Sequence, residues 1–335
     1  MKPLKSSAEG NAQGTMNFVY GPIPSRRLGQ SLGVDPIPFK TCNWNCVYCQ
    51  LGRSTPMINE RREYFPADEI VEQVQTAIAA HGPGEIDWVT FVGSGEPTLH
   101  ISLGKMISEI KAFTNIPIGV ITNGSFLYRP DVRRDLVMAD AVLPSLDAGT
   151  EDLYRKIDRP WPELTFDRFV NGLTAFRREY AGKLWIEVML VKGLNDTEAA
   201  LKDLAVVIKR IRPDEVHLNL PIRPPGEQWV SPSDEEGIHR ARTILGDMAK
   251  VVPPTEGSFD LSGYNNALDA VIGVITRHPM LEEELVKTLD RWVPGEVKEI
   301  LTALEQSDKA RPVIRYGQRF WSCVGARYAN KAFSS

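Results

Sequence analysis

Apolar residues recur along this chain in two rhythms. Short runs rich in Val, Ile and Leu lie at 87–92 (DWVTFV), 118–122 (IGVIT), 141–145 (AVLPS), 185–191 (WIEVMLV) and 215–220 (EVHLNL). They are too short for helices and nearly continuous in apolar character, as strands covered on both faces of a parallel sheet are. Between them the spacing changes to that of a helix with one apolar face. Segment 68–81 carries Ile70, Val71, Val74 and Ile78, and 103–113, 151–157, 166–180 and 197–211 follow the same pattern. The third of these ends at Arg159-Pro160 and the last before Pro213, where proline stops a helix. Strands alternating with helices predict βα units around a parallel sheet. About six units fit, fewer than the eight of a closed barrel. The expected fold class is therefore α/β, a partial (β/α)6 TIM-type barrel over 18–255; an open doubly wound sheet satisfies the same periodicity.

The pattern shifts further on. Segment 221–237 is rich in Pro and Gly and reads as irregular, and 251–262 reads as a linker. Helical patterns follow at 267–277, 281–289 and 294–306, the last with Pro near its N-terminus. Segment 312–321 then alternates around Tyr316-Gly317, a hairpin signal. Three helices closed by a hairpin predict a small winged helix-turn-helix domain over 256–330. Residues 1–17 are small and polar and read as a disordered tail.

Composition adds limits. The 335 residues carry a net charge of −4, which provides no global field to gather nucleic acid or an anionic membrane. No apolar run reaches the roughly 18–20 residues that span a bilayer, and the N-terminus has no secretory apolar core. A cytoplasmic location with no membrane partner is the expectation. Three of the four cysteines fall within eight residues, which argues against a disulfide framework and for a metal.

Those three, Cys42, Cys46 and Cys49, form a C-x3-C-x2-C pattern. Soft thiolates select iron–sulfur clusters, zinc or Cu(I). A structural zinc site normally has four protein ligands, yet Cys323 is far downstream and neither His81 nor His100 has ligand spacing to the triad. Three thiolates on a four-iron cluster leave one iron open to a chelating substrate.

With Tyr48 before the third cysteine and Gly93-Ser94-Gly95-Glu96 closing the next strand, the chain resembles the radical S-adenosylmethionine (SAM) superfamily over about residues 19–225. Segment 21–52 (GPIPSRRLGQSLGVDPIPFKTCNWNCVYCQLG) resembles more narrowly a little-characterised branch related to the radical SAM enzymes that build wybutosine bases in tRNA. The resemblance implies a [4Fe–4S] cluster on the three cysteines, SAM as cofactor, and an electron donor such as flavodoxin or ferredoxin. It implies that Gly93, Gly95 and Glu96 meet the methionyl ammonium of SAM, and that Asn123, Ser145 and Asp147, at the ends of the next two strands, meet its carboxylate and ribose. Asp147 is equally suited to capping the helix that starts near Thr150. Arg155, Lys156 and Arg159 could meet an anion or form a solvated helix face, and His217 reads as a core histidine. The implied reaction is reductive cleavage of SAM to methionine and a 5′-deoxyadenosyl radical, which abstracts hydrogen from a substrate.

Segment 21–40 is expected to add a strand or flap at the barrel mouth. Its Arg26-Arg27 pair could hold a substrate phosphate or carboxylate, or lie on the surface. The expected recognition helix carries Glu296, Glu299 and Glu305 against Lys298, a face that repels DNA. The expected wing interleaves Arg311, Arg315 and Arg319 with Tyr316, Phe320 and Trp321, which suits single-stranded RNA or an acidic peptide. It suits a packing module with a basic rim equally well. An RNA or peptide substrate is the leading expectation. A small-metabolite substrate, and a transcription regulator using the cluster as a redox sensor, are the alternatives.

Overall fold

The computed structural model describes residues 17–252 and 266–329. The expected tail falls outside them except for Asn17, as does the expected linker beyond Val252. A hairpin begins the fold: β1 (Val19–Ser25) runs antiparallel to β2 (Gly29–Val34). From β2 onward the sheet is parallel, through β3 (Trp88–Phe91), β4 (Ile118–Thr122), β5 (Ala141–Pro144), β6 (Lys183–Met189), β7 (Glu215–Asn219) and β8 (Ala249–Val251). The spatial order equals the chain order, β1 to β8. Right-handed crossovers that always add the next strand on the same side leave every helix on one face. A doubly wound sheet instead reverses direction at a switch point, and this one does not reverse.

The crossovers carry α1 (Ala67–Ala79), α2 (Leu103–Phe113), α3 (Pro130–Leu136), α4 (Glu151–Ile157), α5 (Phe166–Glu179), α6 (Glu198–Ile211) and α7 (Glu235–Leu245). Alternation along each strand splits its side chains between the two faces. Val89, Phe91, Val120, Val142, Ile186, Val216 and Leu218 belong to the large core shared with the helices. On the helix-free face Leu28, from the β1–β2 turn, packs with Ala141, Leu143 and Trp185. Glu187, His217 and Asn219 share that face by strand register.

The expectation that 221–237 is irregular throughout is corrected. Asp234 accepts a hydrogen bond from the Gly237 amide at 3.0 Å and starts α7 inside that stretch. The preceding residues support the cysteine loop: Glu227 N donates to Val47 O at 2.9 Å.

Residues 266–329 form α8 (Ala267–Arg277), β9 (Met280–Leu281), α9 (Glu282–Trp292), α10 (Val297–Gln306), β10 (Ala310–Arg315) and β11 (Gln318–Cys323). The three strands pair antiparallel in the order β10-β11-β9. The core of this unit, including Val271, Val274, Leu285, Leu289, Leu304 and Trp321, continues into Tyr20 and Ile23 of β1. Each such fully buried side chain contributes roughly 1.5–3 kcal/mol, so the unit is fastened to the sheet edge. An ion pair reinforces the join: Arg277 Nε lies 2.8 Å from Asp35 Oδ2, and Asp35 is 3% exposed. Among the described residues no helix is long and apolar enough to cross a membrane.

Candidate functional site

The three cysteines lie on the loop between β2 and α1, just past the C-terminal end of β2. Parallel α/β folds place ligands at that end. Trp44 anchors the loop: it is buried, edge-on to Tyr154 and Phe169 at ring distances of 5.4 Å. Val47 is buried, and its amide donates to Ile157 O at 2.9 Å. Cys42, Cys46 and Cys49 are half-buried residues around these anchors.

Donors converge on them. Lys40 Nζ lies 3.3 Å from Cys49 Sγ, Trp44 N 3.4 Å from Cys42 Sγ and Asn123 Nδ2 3.8 Å from Cys42 Sγ. Burial works to lower the Lys40 pKa, but the charges of Cys49, Cys42 and Cys46 outweigh it and raise it. One ammonium is therefore in electrostatic reach of all three sulfurs. Burial pushes the Cys42 thiol up to about 12, and burial with the Asp158 charge pushes Cys46 well above its ordinary value. A bound metal inverts that preference, and its binding releases the protons. No three His, Cys, Asp or Glu side chains among the described residues are arranged to hold a metal ion. Three soft thiolates on one loop are a donor set that suits an iron–sulfur cluster with one iron open to a further ligand.

The remaining expected residues surround this loop, with roles that differ in detail. Glu96 is 1% exposed. Its Oε1 accepts from Thr98 N (3.0 Å), Thr98 Oγ1 (2.5 Å) and Thr122 Oγ1 (2.5 Å), and its Oε2 from Asn123 N (2.6 Å). The carboxylate expected to face SAM is thus a bracket joining the ends of β3 and β4. Gly93 and Gly95 are needed for packing: a Cβ would collide with the Asp35 carboxylate at the first and the Thr41 carbonyl at the second. Ser94 Oγ donates to Asp35 Oδ2 at 2.7 Å, which carries the turn on to Arg277.

Asn123 stands at the loop's edge, its Nδ2 also donating to Asn43 Oδ1 at 2.8 Å. Ser145 is half-buried beside Glu187. Asp147 does not cap α4; Thr150 does. Instead it accepts from Tyr48 OH at 2.5 Å and Met189 N at 2.6 Å, tying the cysteine loop to β6. Arg155 pairs with Glu151 one turn away, and Arg159 and Arg53 both pair with the buried Glu227. Two buried atoms on β7, His217 Nδ1 and Asn219 Oδ1, have no hydrogen-bond partner.

Asp147 and Asp158 are buried together and hydrogen-bonded. Burial lifts Asp147 to about 6, while burial and the Asp147 charge lift Asp158 well above the carboxylate range, so Asp158 holds the proton. A raised carboxyl pKa contributes stability that is complete below the unfolded value, near pH 4, and is lost as pH rises through the folded value. Asp158→Asn keeps a donor toward Asp147 and does not titrate. It is expected to stabilise the protein by about 1–3 kcal/mol at pH 8 and by nothing at pH 4. Thermal melts at the two pH values check this, and an equal effect at both contradicts it.

Sequence reasoning passed over Lys40, Gln50, Asp35 and Asp158. Lys40 had a local signal, being two residues before Cys42. The others act through residues distant in sequence. On the expected wing, Arg311 donates to Ala326 O, Arg315 to Val230 O, Arg319 pairs with Glu282 and Glu305, and Phe320 and Trp321 are buried. Cys323 is buried at the end of β11, with no described contact to the triad.

The profile of the radical SAM superfamily matches residues 37–205. The chain is 37% identical over 302 residues to the GTPase Obg of Brachyspira hyodysenteriae, covering 89% of this chain but only 44% of that protein. It is 36% identical over 281 residues to a UPF0026 protein of Methanocaldococcus jannaschii, covering 82% of this chain and 87% of that one. The structure of a radical SAM methyltransferase from Sphaerobacter thermophilus superposes with a TM-score of 0.48 at 20% identity, over 66% of this chain and 65% of that one.

Proposed function

The chain belongs to the radical SAM superfamily, in the group of the UPF0026 proteins, and from that premise we propose that it cleaves SAM reductively at a [4Fe–4S] cluster held by Cys42, Cys46 and Cys49. The observation that carries this is the gathering of three half-buried cysteines within electrostatic reach of one lysine ammonium, which Cys49 contacts directly. When bound, such a cluster supplies the electron that splits the sulfonium of SAM into methionine and a 5′-deoxyadenosyl radical able to take a hydrogen atom. Its external source is a one-electron donor such as flavodoxin or ferredoxin.

The chain's own residues divide into holders and brackets. Lys40 places positive charge beside the sulfurs, which favours the reduced state of a bound cluster. The half-buried backbone of Gly93 and Gly95, the Asn123 amide and the Ser145 hydroxyl line the space in front of the loop and are assigned to SAM. Glu96 and Asp147 hold those positions from behind. The unpartnered His217 Nδ1 and Asn219 Oδ1 await a ligand's polar edge.

We read the sequentially ordered sheet as a partial barrel and the 266–329 unit as a winged helix. The 21–52 motif is read as marking a branch related to the wybutosine-building enzymes. The wing's arginines are engaged within the protein, so the unit acts as a wall rather than a platform for RNA or peptide. That favours a small-molecule substrate.

Electron paramagnetic resonance tests the cofactor assignment. Anaerobically reconstituted, dithionite-reduced protein is expected to show the signal of a [4Fe–4S]+ centre that changes when SAM is added. A signal of another cluster type, or one indifferent to saturating SAM, counts against it.

A further inference from the structure

The helix-free face holds a second group of side chains that SAM cleavage does not use. Arg26 and Arg27 come from the β1–β2 turn, Arg223 from the loop after β7, and His278 from the joint between α8 and β9. All but His278 belong to the sheet domain; His278 is the contribution of the C-terminal unit. Arg26, Arg27, Arg223 and His278 are each half-buried. Gln50, the residue after Cys49, links the group to the cysteine loop. Its Oε1 accepts from Arg223 at 3.2 Å, while its Nε2 donates to Arg277 O at 3.0 Å and lies 3.4 Å from His278 Nδ1.

The charges there do not balance. Arg27 pairs with Glu187 and Arg277 with Asp35. Glu284 of α9 faces Arg223 from a distance. Among the described residues neither Arg26 nor Arg223 makes an ion pair, and Arg27 keeps a buried Nε with no hydrogen-bond partner. We propose that Arg26, Arg27, Arg223 and His278 form a subsite for a phosphate monoester group of the substrate, linked through Gln50 to the cysteine loop. Two unpaired guanidinium groups carry two positive charges, which a phosphate monoester at about −1.5 to −2 matches and a carboxylate does not. Arginine's planar fork suits that group. The electrostatics agree: burial with Arg26 and Arg223 lowers Arg27 to about 9, burial with Arg26 lowers Arg223 to about 10, and burial with three nearby arginines lowers His278 to about 3. His278 therefore serves as a neutral hydrogen-bonding ring, and the charge comes from the arginines. This inference rests on the enzyme reading for its meaning, since a phosphate fixed beside Gln50 would orient the rest of the substrate toward SAM.

The test is calorimetric titration of inorganic phosphate into the full-length, anaerobically reconstituted protein saturated with SAM. Saturable binding is expected, weakened at least about tenfold in Arg223→Gln and in Arg26→Gln, partly retained in Arg223→Lys, and unchanged in the surface variant Arg155→Gln. Should Arg223→Gln fail to fold, Arg26→Gln, on the half-buried β1–β2 turn, carries the test. No saturable binding, binding unaffected by either glutamine variant, binding abolished by SAM, or equal binding of acetate would each overturn the proposal. Cluster absorbance and 5′-deoxyadenosine are measured on the same samples. Phosphate binding in a protein that forms no deoxyadenosine keeps the subsite and removes the enzyme reading; the reverse pattern does the opposite.

Discussion

Replacing Cys46 with Ala is expected to remove the iron centre and reduce SAM cleavage by at least roughly 100-fold while leaving the fold intact. The loop does not depend on that sulfur for its shape. Trp44 and Val47 are buried on either side of it, and Tyr48 is tied to Asp147. The Cys46 sulfur is buried beside Asp158, and no described donor reaches it. Losing it therefore costs the protein little stability and the cluster one of its three ligands. Iron and sulfide content, circular dichroism and the melting temperature together separate these effects. Cys323→Ala is the matching control: it removes a thiol from the core of the C-terminal unit and is expected to leave iron content unchanged. Equal iron loss in both variants would mean that the cysteines act through folding rather than as ligands.

Glu96→Ala is expected to lower the stability of the metal-free protein by about 3–5 kcal/mol, the range for removing one partner from a buried charged network. Four donors lose their acceptor at once, two of them backbone amides at the ends of β3 and β4. For a chain of this size that corresponds to a fall of roughly 4–7 °C in melting temperature. SAM cleavage falls as well, because Asn123 and the Gly93–Gly95 backbone lose their support. The melt without cofactor decides the role of the residue. If Glu96 acted only on the SAM ammonium, the metal-free protein would melt unchanged and the loss would appear solely in SAM binding.

These two residues show which parts of the protein were legible in its sequence. The cysteine triad was readable as a motif because its residues are local, spaced within one loop. The helices 103–113, 151–157 and 267–277 match α2, α4 and α8 because propensity, apolar spacing and the flanking prolines agreed there. The short elements were not legible. β8 has three residues and β9 two, too few for any periodicity, and α7 begins among the prolines and glycines of 221–237. Glu96 illustrates a different limit. The sequence located it correctly at a strand end, but whether a carboxylate faces a ligand or the protein depends on Thr98, Thr122 and Asn123, which only the fold brings together. The wing meets the same limit: the contacts of Arg311, Arg315 and Arg319 with Ala326, Val230, Glu282 and Glu305 join residues that no local pattern brings together. The Arg26, Arg223 and His278 group draws on residues some 250 positions apart, and no pattern along the chain could assemble it.

The measurement that bears most directly on the central claim is the product of SAM itself. Full-length protein is reconstituted anaerobically to a complete cluster, reduced with dithionite and given SAM. The account predicts 5′-deoxyadenosine and methionine in equal amounts, absent from Cys46→Ala. A fully loaded, reduced protein that returns SAM unchanged would contradict it.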